Sequence, residues 1–233
     1  MEELVRRFLI VALLGSDHQD IENVINEKND SASFSILLNV ALFGKEFNTG
    51  IDDNKKKELA VERAYRDFCR TIRKGEKGIN EGIGDLTERK KKTAQTIIDE
   101  LSKMELSKMD FDKYNEWHDK LCEQIIANKY TYGQAQKWVN MTMKYLIVLG
   151  DADVIAKEKL LHIPLDSIII DIALKNKLLT QKTLDDNHFT SWSGITDKKQ
   201  YDAIQNEIRD NLKNQTPIIW EFQAWNDPSA KDK

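Results

Sequence analysis

Three prolines and ten glycines are few for 233 residues. Turn-rich β-sandwiches and barrels need frequent turn residues, so this scarcity argues against them and favours long helices. Two cysteines, Cys69 and Cys122, exclude a disulfide framework and a cysteine-based zinc site, and read as reduced thiols. No apolar run approaches the ~20 residues of a membrane-spanning helix. Phe8–Leu14 follows Arg6 and Arg7, as a leader segment would. It is short, however, Glu2 and Glu3 precede it and no small-residue cleavage site follows, so it reads as the buried face of a first helix. The chain also lacks a basic excess. Lys and Arg number 35 against 39 Asp and Glu, a net charge of −4, which argues against binding carried mainly by phosphates. The local basic stretches, Arg70, Arg73 and Lys74 and then Arg89–Lys92, read as solvated helix faces. The expectation is a cytoplasmic monomer, nucleoid-associated in a prokaryote, with no membrane partner.

The chain does hold enough apolar material for a core: 40% hydrophobic residues, with 5 Trp, 6 Tyr and 8 Phe. Apolar residues recur at helix spacing at Leu4, Val5, Phe8, Leu9 and Ala12, and again at Phe34, Leu37, Leu38, Ala41 and Leu42. Gly50 to Lys57 reads as a loop. Helices are expected over 59–73, 87–104, 111–128, 135–149 and 198–213, and over the tail from Pro217 to Trp225. Gly75, Gly78, Gly82 and Gly84 make a loose connection. The run Ile168–Leu174 has the β-branched content of a strand, but Asp171, Ala173 and Lys175 break strict alternation, so it reads as helix. The fold class is all-α, with roughly ten helices. No repeat is visible.

The chemically informative segment is 130–146, followed by His162-Ile-Pro-Leu-Asp166. A helix ending near Asn128, a turn holding Gly133 and a second helix form a helix–hairpin–helix candidate. Gly133 at the turn permits positive φ and close approach of the backbone to a phosphate. Lys137 lies one turn into the second helix. Asp166 follows 166 − 137 = 29 residues later, at the start of another helix, where the positive helix end favours its ionised form. A lysine facing an aspartate across a cleft suits imine chemistry: the amine attacks, and the carboxylate takes its proton or stabilises a sugar cation. By pattern alone such a pair is more often a surface ion pair. His118 and His162 stand apart from any ligand cluster, so no metal site is expected.

These residues resemble the helix–hairpin–helix DNA glycosylases, and most closely the archaeal-type 8-oxoguanine DNA glycosylases. Lys137-Trp-Val-Asn-Met-Thr-Met-Lys144-Tyr-Leu and Ile163-Pro-Leu-Asp166 match that family's lysine helix and Ile-Pro-Val-Asp segment. The resemblance implies Lys137 as nucleophile and Asp166 as its activator. Ala64-Tyr-Arg-Asp-Phe-Cys-Arg70 is similar to a family segment that would put Tyr65 at the base pocket. Glu221-Phe-Gln-Ala-Trp225 is similar to a C-terminal acid that hydrogen-bonds the guanine edge and a tryptophan that stacks on its face. Met141 and Asn39 complete the implied base-binding set, and Gly133, Gln134, Ala135, Asn140 and Lys144 the implied DNA-backbone set. The resemblance also implies a single two-lobed helical domain over 1–233, with its lobe boundary near 75–85 and the helix–hairpin–helix at about 113–149. The implied activity is that of a base-excision glycosylase and β-lyase acting on oxidised guanine in duplex DNA, without a cofactor.

The chain departs from the family in four ways. Ala135 stands where the hairpin usually has a second glycine, Glu221 replaces an aspartate, the N-terminal glutamine has no clear counterpart, and the net charge is acidic. These departures motivate an alternative: a non-catalytic relative that binds a guanine-like nucleotide or a protein partner.

Overall fold

A computed structural model describes residues 1–14, 51–75 and 83–226. The helix expected around Phe34–Leu42, Asn39 within it, and the Gly78–Gly82 connection lie outside the described residues, as does most of the expected lobe boundary. Among the described residues the fold is all-α, with ten α-helices, three short 3-10 turns and no strand. No helix among them is long and apolar enough to cross a membrane.

The centre is α5 (Tyr132–Val148), the fifth α-helix among the described residues, in which every residue is buried. A helix buried on all sides must lie inside a ring of others. α2 (Asp53–Gly75) runs along one side of it, with Ala60, Val61, Ala64, Phe68 and Ile72 buried at helical spacing. α4 (Phe111–Ile126) packs on another side through Leu121, Cys122 and Ile125. α1 (Glu2–Leu14) lies against the last helix, α10 (Pro217–Asn226), and buries Phe8, Leu9, Ile10 and Val11. α3 (Ile83–Lys103) closes on α2 and α4. α6 (Ala152–Ala156), α7 (Ser167–Lys175), α8 (Gln181–Asp186) and α9 (Lys198–Asn211) complete the order. The Ile168–Leu174 run is helical, as its broken alternation predicts.

Three local expectations are corrected. Residues 53–57 are helical, not loop, because the Asp52 carboxylate accepts the Lys55 N–H at 2.8 Å and starts α2 early. The basic run 89–92 is not uniformly solvated. Arg89 turns inward, donating to the Lys129 carbonyl at 3.2 Å and lying 4.9 Å from the Tyr130 ring, while Lys90 pairs with Glu62 at 2.6 Å. The third correction concerns the hairpin. The residue at positive φ between α4 and α5 is Lys129 (φ 65°), and Gly133 sits inside the first turn of α5.

Gly133 is required for a different reason. Its N–H donates to the Ile195 carbonyl at 3.0 Å, and a Cβ there would stand 1.9 Å from the Trp192 carbonyl oxygen. The Trp192–Gly194 turn is seated directly on the start of α5 and leaves no room for a methyl group. Backbone faces that methyl, so no side-chain rotation relieves it. Gly133→Ala is expected to destabilise the fold by about 3 kcal/mol, read as a lowered urea midpoint. An unchanged midpoint would contradict this packing.

Candidate functional site

The site starts from an extended stretch, residues 161–166, that has no strand beside it. Its backbone groups are buried and need partners. Side chains from α5 and α9 supply them. Arg209 donates to the carbonyls of Lys159 and Leu161, both at 2.8 Å. Gln205 donates to the Ile163 carbonyl at 2.6 Å and accepts the Ile163 N–H at 3.2 Å. Gln136 does the same for Leu165, donating at 3.0 Å and accepting at 3.2 Å. Every second residue is thus held as a neighbouring strand would hold it. Pro164 between them has no N–H to satisfy.

This clamped segment ends at Asp166, which caps α7. Its Oδ1 accepts the Ile169 N–H at 2.9 Å. Its other oxygen, Oδ2, accepts from Lys137 Nζ at 2.7 Å. Burial alone would raise the Asp166 carboxyl. The Lys137 ammonium and the Ile169 N–H more than reverse this and hold it below the usual carboxylate value. Lys137 is buried on α5, and its amine and Asp166 line a cavity of about 350 Å³.

A second pair lies seven residues along the same helix. Lys144 and Glu221 have side chains only 1% exposed. Lys144 Nζ donates to Glu221 Oε1 at 2.8 Å. It also stands 2.7 Å from Oε2, so the ammonium faces both carboxylate oxygens. The ammonium is boxed by the rings of Phe8, Phe222 and Trp225 at 4.2, 4.7 and 5.5 Å. Burial lowers the Lys144 amine and raises the Glu221 carboxyl, and each partner opposes the other's shift. Both Lys144 and Glu221 line the cavity that holds Lys137, together with Met141 and Trp225.

Six of the residues named from sequence therefore meet at this cavity: Lys137, Met141, Lys144, Asp166, Glu221 and Trp225. Others lie elsewhere. Tyr65 packs against Trp138, with ring centres 4.9 Å apart, under the Lys90 ammonium, and does not line the cavity. Gln134 and Thr131 form a capping box, and Ala135 N–H donates to the Thr131 carbonyl at 2.9 Å. The N–H groups of Gly133, Gln134 and Ala135 are thus all taken within the protein. Asn140 faces inward, accepting from His118 Nε2 at 3.0 Å and donating toward Ile163, Gln136 and Tyr201. Asn39 lies outside the described residues. Sequence reasoning missed Phe8, Arg63, Arg66, Asp67, Tyr145 and Ile168, which also line the cavity. Only the spacing of Arg63 and Arg66, three apart on an amphipathic helix, offered a signal.

The packing behind Ile163 fixes the histidines. His162 Nε2 donates to Asn115 Oδ1 at 2.6 Å, so its Nδ1 accepts the Tyr201 hydroxyl at 2.8 Å. Burial pushes His118 down to about 3 and His162 well below its usual value, so both are neutral near pH 7. On acidification the unfolded chain binds protons at ordinary histidine values, near 6.5, that the native state refuses. Stability therefore falls as pH drops below that value, by about 2–3 kcal/mol between pH 7 and 5.5 for two such groups. Urea midpoints measured at the two pH values check this, and an unchanged midpoint would contradict it. Comparison of this chain with protein-family models, with curated proteins and with solved structures gives no match.

Proposed function

We propose that this chain is a DNA glycosylase with β-lyase activity that removes oxidised guanine through an imine on Lys137. The observation that carries the reading is convergence. Lys137, Asp166, Glu221 and Trp225 are far apart in sequence and line one cavity, with the Lys137 amine 2.7 Å from the Asp166 carboxylate.

Each residue then has a task. A flipped guanine offers N–H donors along its pairing edge. Glu221, held by Lys144 at the cavity, is a carboxylate acceptor for that edge. Trp225 and Met141 supply flat or soft apolar contact for the base. At the sugar, the Lys137 proton passes to Asp166, and the neutral amine attacks C1′. The bond from C1′ to the base nitrogen breaks with its electron pair on the base, which takes a proton from Asp166. The carboxylate so regenerated stabilises positive charge on the sugar. Loss of a second proton from the amine and opening of the ring give the imine. Loss of a C2′ proton then expels the 3′ phosphate. In this reading the molecule is two-lobed, and α4 and α5 stand as the helix–hairpin–helix.

A second reading is kept, because one observation favours it. The five residues expected to meet the DNA backbone, Gly133, Gln134, Ala135, Asn140 and Lys144, are all buried. On this reading the cavity binds a guanine-like nucleotide without chemistry. Two measurements separate them. Lys137→Gln is expected to abolish release of 8-oxoguanine from duplex DNA while melting stays cooperative; release at the parent rate would refute the nucleophile. Duplex binding is expected to weaken with salt along a log–log slope of several phosphate contacts. Salt-insensitive or absent duplex binding, with guanine nucleotides still bound, would favour the second reading.

A further inference from the structure

The cavity has a third wall that neither pair explains. α2 contributes Arg63, Arg66 and Asp67 to its lining, beside Tyr145 of α5. Among the described residues, the charged lining is Arg63, Arg66, Lys137 and Lys144 against Asp67, Asp166 and Glu221, so 4 − 3 leaves one net positive charge. Asp166 and Glu221 are matched by the two lysines. The surplus therefore lies on the arginine wall, in a chain whose net charge is −4. A cleft that concentrates positive charge in an acidic protein favours an anion.

The arginines are held but not used up. Arg63 NH2 stands 3.8 Å from Asp67 Oδ1, beyond hydrogen-bond range, and its Nε is buried with no hydrogen-bond partner among the described residues. Its guanidinium lies 5.9 Å from the centre of the Tyr145 ring. The Tyr145 hydroxyl in turn donates to Asp67 Oδ2 at 2.7 Å, which fixes both neighbours of Arg63. Arg66 is 59% exposed, and its contact to Glu62 is 3.7 Å, again too long for a hydrogen bond. An exposed i,i+4 contact of the length of Arg66–Glu62 stabilises little. Two guanidinium groups one turn apart present donors in the planar fork that suits phosphate oxygens. Protein acceptors take the N–H groups of Gly133, Gln134 and Ala135 at the start of α5, so these are not offered to a phosphate.

We infer that Arg63 and Arg66 form a phosphate subsite at this cavity, taking the phosphate joined to the nucleotide whose base reaches Glu221. The inference rests on the reading of the cavity as a guanine-nucleotide site. The phosphate has two possible sources, the DNA strand beside the lesion or the 5′-phosphate of a free nucleotide.

Calorimetry with 8-oxoguanosine and with its 5′-monophosphate tests the free-nucleotide source. The strand source is tested with 8-oxoguanine duplexes carrying one methylphosphonate on the 5′ or the 3′ side of the lesion. The expected result is an advantage of about tenfold for the phosphate-bearing probe over its neutral counterpart in at least one arm. In Arg63→Gln/Arg66→Gln that ratio falls to about one. Arg66→Gln alone, at an exposed position, also lowers it, which covers the case in which the double variant fails to fold. Binding of nucleoside and lesion duplex with no phosphate advantage in either arm would overturn the subsite and leave the base pocket standing. No binding of any probe would overturn the nucleotide reading and the subsite together.

Discussion

The rest of the structure depends on the burial of α5. All of its residues from Tyr132 to Val148 are buried, yet it carries Gln134, Gln136, Lys137, Asn140, Thr142 and Lys144. Polar groups in a dry interior are tolerated only when each has a partner. The surrounding elements meet this demand one group at a time. α7 presents Asp166 to Lys137, and α10 presents Glu221 to Lys144. The extended 161–166 stretch and α9 meet Gln136 and Asn140. Trp138 Nε1 donates to the Val61 carbonyl of α2 at 3.0 Å. Removing one partner of a buried ion pair is more damaging than never having had the pair. Two such pairs on one helix therefore bind distant parts of the chain to a single geometry.

The two pairs differ in what they leave available. Lys137 and Asp166 are matched at 2.7 Å and open to the cavity, so the proton between them has somewhere to go. Lys144 and Glu221 are buried at the cavity wall, with the ammonium among the rings of Phe8, Phe222 and Trp225. The two pairs lie 144 − 137 = 7 residues, or two helical turns, apart on α5; in the proposed reaction the first acts at the sugar and the second holds the base. Gln136 and Gln205 matter to this indirectly, since they fix the backbone on which Asp166 is carried.

Much of this is legible in the sequence. The helices follow from apolar periodicity, and the convergence of Lys137, Asp166, Glu221 and Trp225 follows from motifs in the expected order. The failures have physical causes. Gly133 suggests conformational freedom, but the structure needs its missing Cβ; Lys129 takes the positive φ instead. Local pattern misplaces Arg89, and the resemblance puts Tyr65 at a base pocket, whereas packing between α2, α3 and α5 turns Arg89 inward and seats Tyr65 against Trp138. The glutamine and arginine clamps of residues 159–165 pair groups up to 50 positions apart and leave no periodic trace. Arg63 and Arg66 look like ordinary surface charges on an amphipathic helix, because nothing local marks which face borders a cavity.

The central claim is that the Lys137 amine attacks a sugar carbon. The most direct measurement is borohydride trapping on an 8-oxoguanine duplex, with the adduct mapped by peptide mass spectrometry. Reduction of the imine predicts a covalent protein–DNA species with the sugar remnant on Lys137. A folded protein that gives no adduct with any oxidised-purine duplex, or an adduct on a different amine, would contradict it.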